Sequence, residues 1–378
     1  MKNEIKINKL ILCYIPIYNC NFRCEYCIVS QTDDWTGKET YFKYPVEHII
    51  KALSKERLGG TCYINLTAQG ETLLYEDIVP LISGLLDEGH FIEIVTNGLI
   101  KKRIDEILGL PESYRDRIFF KISYHYEQIK KKGVNSLFWD NVKCIKESKC
   151  SFTLELMPYD ELDSYIEDIK EQCIKNLGAY CHLTVGRNDK DISKGLLTKK
   201  TREDYEKTWR VFDSDMFDLK MRLYGVKRRE FCYAGAWSLL VDISNGEASQ
   251  CYGRMNTQNI FKDLDKPIKF RPVGCSCRQP FCFNGHAHIA WGIIPNLDAP
   301  MYYTIRNRQC VDGTNWVKND CSKLFVQKLR DNNNEYSLIE KCLNTITNPF
   351  FLFIKLFHDI NGTKRKIRKF YRIVFHKY

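Results

Sequence analysis

The chain has 378 residues, 44% of them hydrophobic, a formal net charge of +10 and 17 cysteines, enough for two domains with a real core. It has no run of about 18 apolar residues to span a membrane, and its charged N-terminus, "MKNEIKINKLIL", is no signal peptide. A cytoplasmic protein with free thiols is therefore expected, because a reducing compartment does not sustain disulfides.

The first predicted element is a strand, "LILCYIPI", which empties into "CNFRCEYC" and so sets Cys20, Cys24 and Cys27 at a strand's carboxyl end. Three thiolates hold three irons of a 4Fe–4S cube and leave the fourth open. Structural zinc takes four protein ligands, and the next Cys or His is His48. "PVEHIIKALSKERLGG" reads as one helix, opened by Pro45, apolar at Val46, Ile49, Ile50 and Leu53, and stopped at Gly59. The strand "TCYINLTA" runs into "TAQGET", with Gly70 and Glu71; "FIEIVT" runs into Thr96 and Asn97; "IFFKIS" ends at Ser123, with His125 close by. "SFTLELM", a helical pattern from 160 to Gly178, and "AYCHLTV" complete the series. Read singly, Glu71 is an acid at a helix N-terminus, Thr-Asn-Gly is a turn and His125 is a core histidine. In series, six strand–helix units predict an α/β fold whose parallel sheet curls toward a partial barrel, with chemistry at the carboxyl ends of the strands.

After residue 215 the pattern changes. "SLLVDISNGEASQCYG" predicts a hairpin with a two-residue turn at Asn245 and Gly246. It brings Cys232 and Cys251, at its two ends, close enough to share a metal. Five Cys and two His fall between Cys232 and His288, in a region whose small core needs a metal to hold it. Its middle part, "CSCRQPFCFNGHAH", contributes Cys275, Cys277 and Cys282. Zinc suits such a Cys/His set as well as iron does. Cys13, Cys62, Cys144, Cys150, Cys173, Cys181 and Cys342 lack ligand spacing and read as small core residues.

With these motifs in order, the sequence resembles the radical S-adenosyl-L-methionine (SAM) enzymes. Their CxxxCxxC motif stands here as Cys20, Cys24 and Cys27, with Tyr26 as the aromatic before the last Cys. The resemblance implies that the cube's open iron chelates SAM and that its cleavage yields a 5′-deoxyadenosyl radical, which abstracts a hydrogen atom from substrate. It also implies that Gly70 lets the backbone approach SAM, that Glu71 accepts from its ammonium, that Thr96 and Asn97 sit near its methionine and that Ser123 binds its ribose. "LEL" and "LTVGR" would line the adenosine pocket. The second cysteine region is similar to the SPASM/twitch extension of the family, which carries auxiliary 4Fe–4S clusters. At least one auxiliary cluster is implied, with ligands among Cys232, Cys251, Cys275, Cys277 and Cys282. His286 stands where the last SPASM Cys would fall, and His286, Cys310 or Cys321 would serve a second cluster. The expected organisation is a radical SAM partial (β/α)6 barrel over 1–215, an iron–sulfur domain over 216–330 and a helical basic tail over 331–378.

The implied partners are a peptide or saccharide substrate and an electron donor such as flavodoxin or ferredoxin. The cysteine motif begins at residue 20, without room for the leader-binding domain that peptide-modifying relatives often carry, and the basic tail would suit a saccharide or lipid-linked substrate. Residues 350–378 hold eight Lys and Arg against one Asp, +7 of the total. With "NPFFLFIKLF" before it, this tail suits an anionic membrane surface. The remaining body is nearly neutral, which gives no support to nucleic-acid binding. The alternatives are an iron–sulfur redox protein or a zinc-stabilised binding module, neither with SAM chemistry.

Overall fold

The computed structural model describes residues 5–35, 41–191, 193–252 and 256–358, without the side chains of Asn256 and of 349–358. One sheet contains β1 (Lys9–Ile15), β2 (Cys62–Ala68), β3 (Phe91–Thr96), β4 (Ile118–Ser123), β5 (Ser151–Leu156), β6 (His182–Leu183), β7 (Ser238–Asp242), β8 (Glu247–Ser249) and β9 (Asn256–Asn259). Its order is β6-β5-β4-β3-β2-β1-β7-β8-β9. Neighbours from β6 to β7 are parallel, and β8 and β9 are antiparallel. The six expected strands are all in this sheet, and it continues across residue 215 into β7–β9.

A strand order that advances in one direction through right-handed crossovers puts every connecting helix on the same face. One apolar cluster shows this: Ile11, Cys13, Ile64, Ile92, Phe120 and Leu154 of the strands pack with Ile49, Leu81, Ile104, Val142 and Ile169 of the helices. Side chains of the other parity need another cover. Leu10, Leu12, Tyr63, Phe91 and Phe119 find it in Trp291, Tyr302 and Phe325. The ring centroids of Tyr63 and Trp291 lie 5.2 Å apart, and those of Phe119 and Phe325 lie 5.0 Å apart. Burying each such ring contributes roughly 1.5–3 kcal/mol. Burial on both faces is why the strands read as unbroken apolar runs.

Four local expectations differ. The helix from Pro45 breaks into Val46–Ala52 and Lys55–Leu58. Ser54 caps the second piece, accepting the Arg57 N–H at 3.4 Å, and a Ser side chain competes in this way with a continuous helix. Asp160–Tyr165 is a 3₁₀ turn, and the α-helix begins at Ile166 and ends with Gly178 at φ 75°. The β7–β8 loop is four residues long, 243–246, because the register pairs Asp242 with Glu247. Asn245 and Gly246 both donate to the Asp242 carbonyl, at 3.3 and 2.8 Å. Cys144 and Cys342 are exposed and are not core residues. A helix spans Leu338–His358, and the basic stretch 359–378 lies outside the described residues. No described helix is long and apolar enough to cross a membrane.

Candidate functional site

The cysteine loop leaves the carboxyl end of β1 and leans on the loop after β2. Gly70 donates to the Ile17 carbonyl at 2.7 Å and Glu71 to that of Asn19 at 3.0 Å. A Cβ on Gly70 would lie 1.8 Å from the Asn19 carbonyl oxygen. The backbone that needs this glycine is the cysteine loop's own. Glu71 is 2% exposed. Its carboxylate accepts from the Leu73 N–H at 2.9 Å, the Thr96 hydroxyl at 2.7 Å and the Asn97 N–H at 2.7 Å. Three of about four acceptor positions of a carboxylate are thus taken by the chain itself. Asn97 extends the relay, donating from Nδ2 to Asn21 Oδ1 at 2.6 Å and, more weakly, to Cys20 Sγ at 3.9 Å. Ser123 ends β4, opposite Glu155 of β5.

Cys24 Sγ lies 3.4 Å from His125 Nδ1, and the Tyr26 hydroxyl lies 2.5 Å from the same nitrogen. Tyr26 also packs on Tyr159, centroid to centroid 4.8 Å. Burial pushes the thiol of Cys20 up to about 11 and that of Cys24 up to about 12. A metal site here has to supply the charge that draws off these protons. Two side chains of this neighbourhood carry little sequence signal. His125 reads as a core residue until β4 places it beside Cys24. Gln31 donates to the carbonyls of Tyr26 (2.8 Å) and Arg187 (3.0 Å) and accepts the Asp189 N–H at 2.7 Å, tying the cysteine loop to the segment after β6. The Glu of "LEL", Glu155, forms an ion pair with the fully buried Arg306. Met157, Val185 and Arg187 line the central cavity.

The second region brings Cys232, Cys251, Cys277 and Cys282 around one cavity, together with His288. Cys251 titrates well above an ordinary thiol, first through burial and then through Cys282, Cys232 and Cys277. Gly274 pairs with Cys232 through hydrogen bonds of 2.9 and 3.3 Å. In the turn beyond it Cys275 faces solvent. His286 lines a different cavity. Cys310 and Cys321 are buried in separate parts of the core. Among the described residues, no three His, Cys, Asp or Glu side chains converge as a single metal ion demands. Thiols spread around a cavity, all of one soft donor type, fit a multinuclear iron–sulfur cube.

Between the two thiol groups lies a cavity of about 320 Å³. Tyr26, Cys27 and His125 of the first region line it, as do Phe281, Cys282 and His286 of the second.

Residues 14–173 match the family model described as Radical SAM superfamily. The chain is 29% identical over 99 residues to a Methanocaldococcus jannaschii protein named for glycyl-radical enzyme activation. That match spans 26% of this chain and 36% of the relative. Its shape is similar to SuiB of Streptococcus suis, with TM-score 0.47, 14% identity, and 70% of this chain and 66% of that one covered. It is also similar to anSMEcpe with bound AdoMet, with TM-score 0.43, 14% identity, and 68% and 80% covered. The stretch 14–173, which holds Cys20, Cys24 and Cys27 at the carboxyl end of β1, is thus similar to the radical SAM superfamily.

Proposed function

We propose that this chain is an enzyme that cleaves SAM reductively at the Cys20/Cys24/Cys27 site and takes a hydrogen atom from a substrate held in the central cavity. A 4Fe–4S cluster on these thiols supplies the electron for the cleavage, and the resulting 5′-deoxyadenosyl radical performs the abstraction. The observation that carries the reading is the cavity of about 320 Å³, shared by Tyr26 and Cys27 of one thiol region and by Cys282 of the other. A substrate there lies between both redox centres. Glu71, Thr96 and Asn97 hold the cysteine loop, and Glu71 keeps one acceptor position for the SAM ammonium. Tyr26 and His125 form the wall beside Cys24, and Tyr159 backs it against water. Cys232, Cys251, Cys277 and Cys282 would hold one auxiliary cluster, which would supply an electron acceptor for an oxidation. The substrate is a saccharide or a peptide, and a flavodoxin or ferredoxin is the reductant.

The C-terminal helix supports a membrane contact. Leu338, Ile339, Leu343 and Ile346 are 56–82% exposed, whereas Asn344 and Asn348 are buried. Asn348 donates to the Val273 carbonyl at 2.9 Å. Over 338–348 the apolar side of this helix therefore faces outward. An anionic bilayer matches this face and the basic sequence of the tail.

The test is iron and sulfide counting on anaerobically reconstituted protein and on the triple variant Cys20→Ala/Cys24→Ala/Cys27→Ala, with 5′-deoxyadenosine measured under dithionite. Loss of about four irons and of all nucleoside in the variant is expected. Wild-type protein that holds iron yet yields no 5′-deoxyadenosine is an iron–sulfur redox protein instead. Zinc in place of iron makes it a binding module.

A further inference from the structure

We propose that Lys220 and Arg187 form an oxyanion subsite in the cavity between the two thiol regions, so that the substrate carries a carboxylate or phosphate group. This rests on the reading of that cavity as the reaction chamber. Lys220 belongs to the helix Asp215–Leu223, whose Met216, Phe217, Leu219 and Leu223 are buried. Its ammonium is thereby held at the cavity wall. It donates to the Thr184 hydroxyl. The charged groups acting on it are Lys121 and Arg187, both cations, and among the described residues it forms no ion pair with a carboxylate.

Arg187 enters the cavity from the segment after β6. Its Nε donates to Asp189 at 2.8 Å, and its guanidinium lies 4.8 Å from the Phe283 ring. Asp189 is shared with Lys194 at 3.3 Å, so one carboxylate faces two cations. The nearby Lys121 is paired with Glu155 at 3.6 Å, and Glu155 also takes the buried Arg306. Positive charge therefore exceeds negative charge around the cavity. His286 adds a separate observation, because its Nδ1 is buried there without a hydrogen-bond partner.

A half-buried ammonium without a counter-charge is costly, and a ligand anion is what relieves the cost. The state of Lys220 agrees. Its pKa falls to about 7, first through burial and then through Lys121 and Arg187, and a bound oxyanion would restore its proton. Arg187 adds a planar fork suited to carboxylate or phosphate oxygens.

The experiment is calorimetric titration of full-length, anaerobically reconstituted, SAM-saturated protein. Inorganic phosphate is titrated in one arm and acetate in the other, so that the arms separate a phosphorylated from a carboxylated substrate. Saturable binding of at least one anion is expected, weakened about tenfold or more in Lys220→Met and largely kept in Lys220→Arg. Iron content shows that both variants fold. Equal affinity in wild type and Lys220→Met overturns the subsite, as does saturable binding of neither anion. Lys220-dependent anion binding that is present in SAM-free protein and lost in SAM-saturated protein also overturns it, by assigning the cations to the cofactor. Reductive SAM cleavage is scored on the same samples. Cleavage without Lys220-dependent anion binding removes this inference alone, whereas absence of cleavage removes the reading of the chamber.

Discussion

The Glu71 carboxylate accepts the Asn97 backbone N–H at 2.7 Å, and Asn97 in turn reaches Asn21 at 2.6 Å and Cys20 at 3.9 Å. One buried acid after β2 thus sets the loop after β3, and that loop sets the cysteine loop after β1. Glu71→Gln must turn an amide N–H toward donors that now meet oxygen. A stability loss of about 2 kcal/mol is expected, read from the urea midpoint, together with reduced iron retention at the first site. An unchanged midpoint and iron count would show that Glu71 does not support the loop.

Cys275 and Cys277 are two residues apart, but only Cys277 lines the thiol cavity. Cys277→Ala should lose about four irons per chain, the content of one cube, and Cys275→Ala should lose none. Iron and sulfide analysis after anaerobic reconstitution decides this. Equal losses would mean that Cys275 ligates after all.

Arg306 is fully buried against Glu155, and Glu155 also has Lys121 at 3.6 Å. Removing the acid leaves a buried guanidinium without its ion-pair partner, with only Glu93 farther off to offset its charge, whereas removing the arginine leaves the acid still paired. Glu155→Leu should therefore cost about 3–5 kcal/mol and Arg306→Met clearly less. Chemical denaturation of the two single variants and the double variant gives the coupling. The opposite ranking would contradict the pairing.

His90 is buried between two backbone groups, accepting the Cys62 N–H at 3.1 Å and donating to the Leu53 carbonyl at 2.9 Å. Only the neutral ring satisfies both. Burial lowers its pKa to about 4 from an ordinary 6.5. The unfolded chain therefore takes up a proton first. The stability from neutral His90 is complete above about pH 6.5 and declines as pH falls toward 4, by at most about 1.4 kcal/mol per unit. His90→Gln escapes this loss, so its deficit against wild type should narrow between pH 7 and 5. A constant difference across that range would remove His90 from the pH response.

The outward Leu343 and Ile346 bear on the membrane contact. Flotation with vesicles containing phosphatidylserine should recover wild-type protein and much less of Leu343→Glu/Ile346→Glu. Vesicles of neutral lipid should recover little of either. Equal recovery of both proteins would leave the helix without this role.

The spacing of Cys20, Cys24 and Cys27 and the six apolar runs were legible in the residues alone, because ligand spacing and strand burial are local properties. The glycine at 70 and the acid at 71 stood out as a motif, but their hold on the cysteine loop did not. Their partners, Asn19 and Asn97, lie on other loops and meet them only when β1, β2 and β3 stand side by side. The same holds for the choice among five thiols and for His286, since a turn at Gly274 separates neighbours in sequence by the way their side chains face. Lys220 is the furthest case: one of two cations in a helix that also has two acids, whose place beside other cations exists only once the segments after β4 and β6 and that helix enclose a common space.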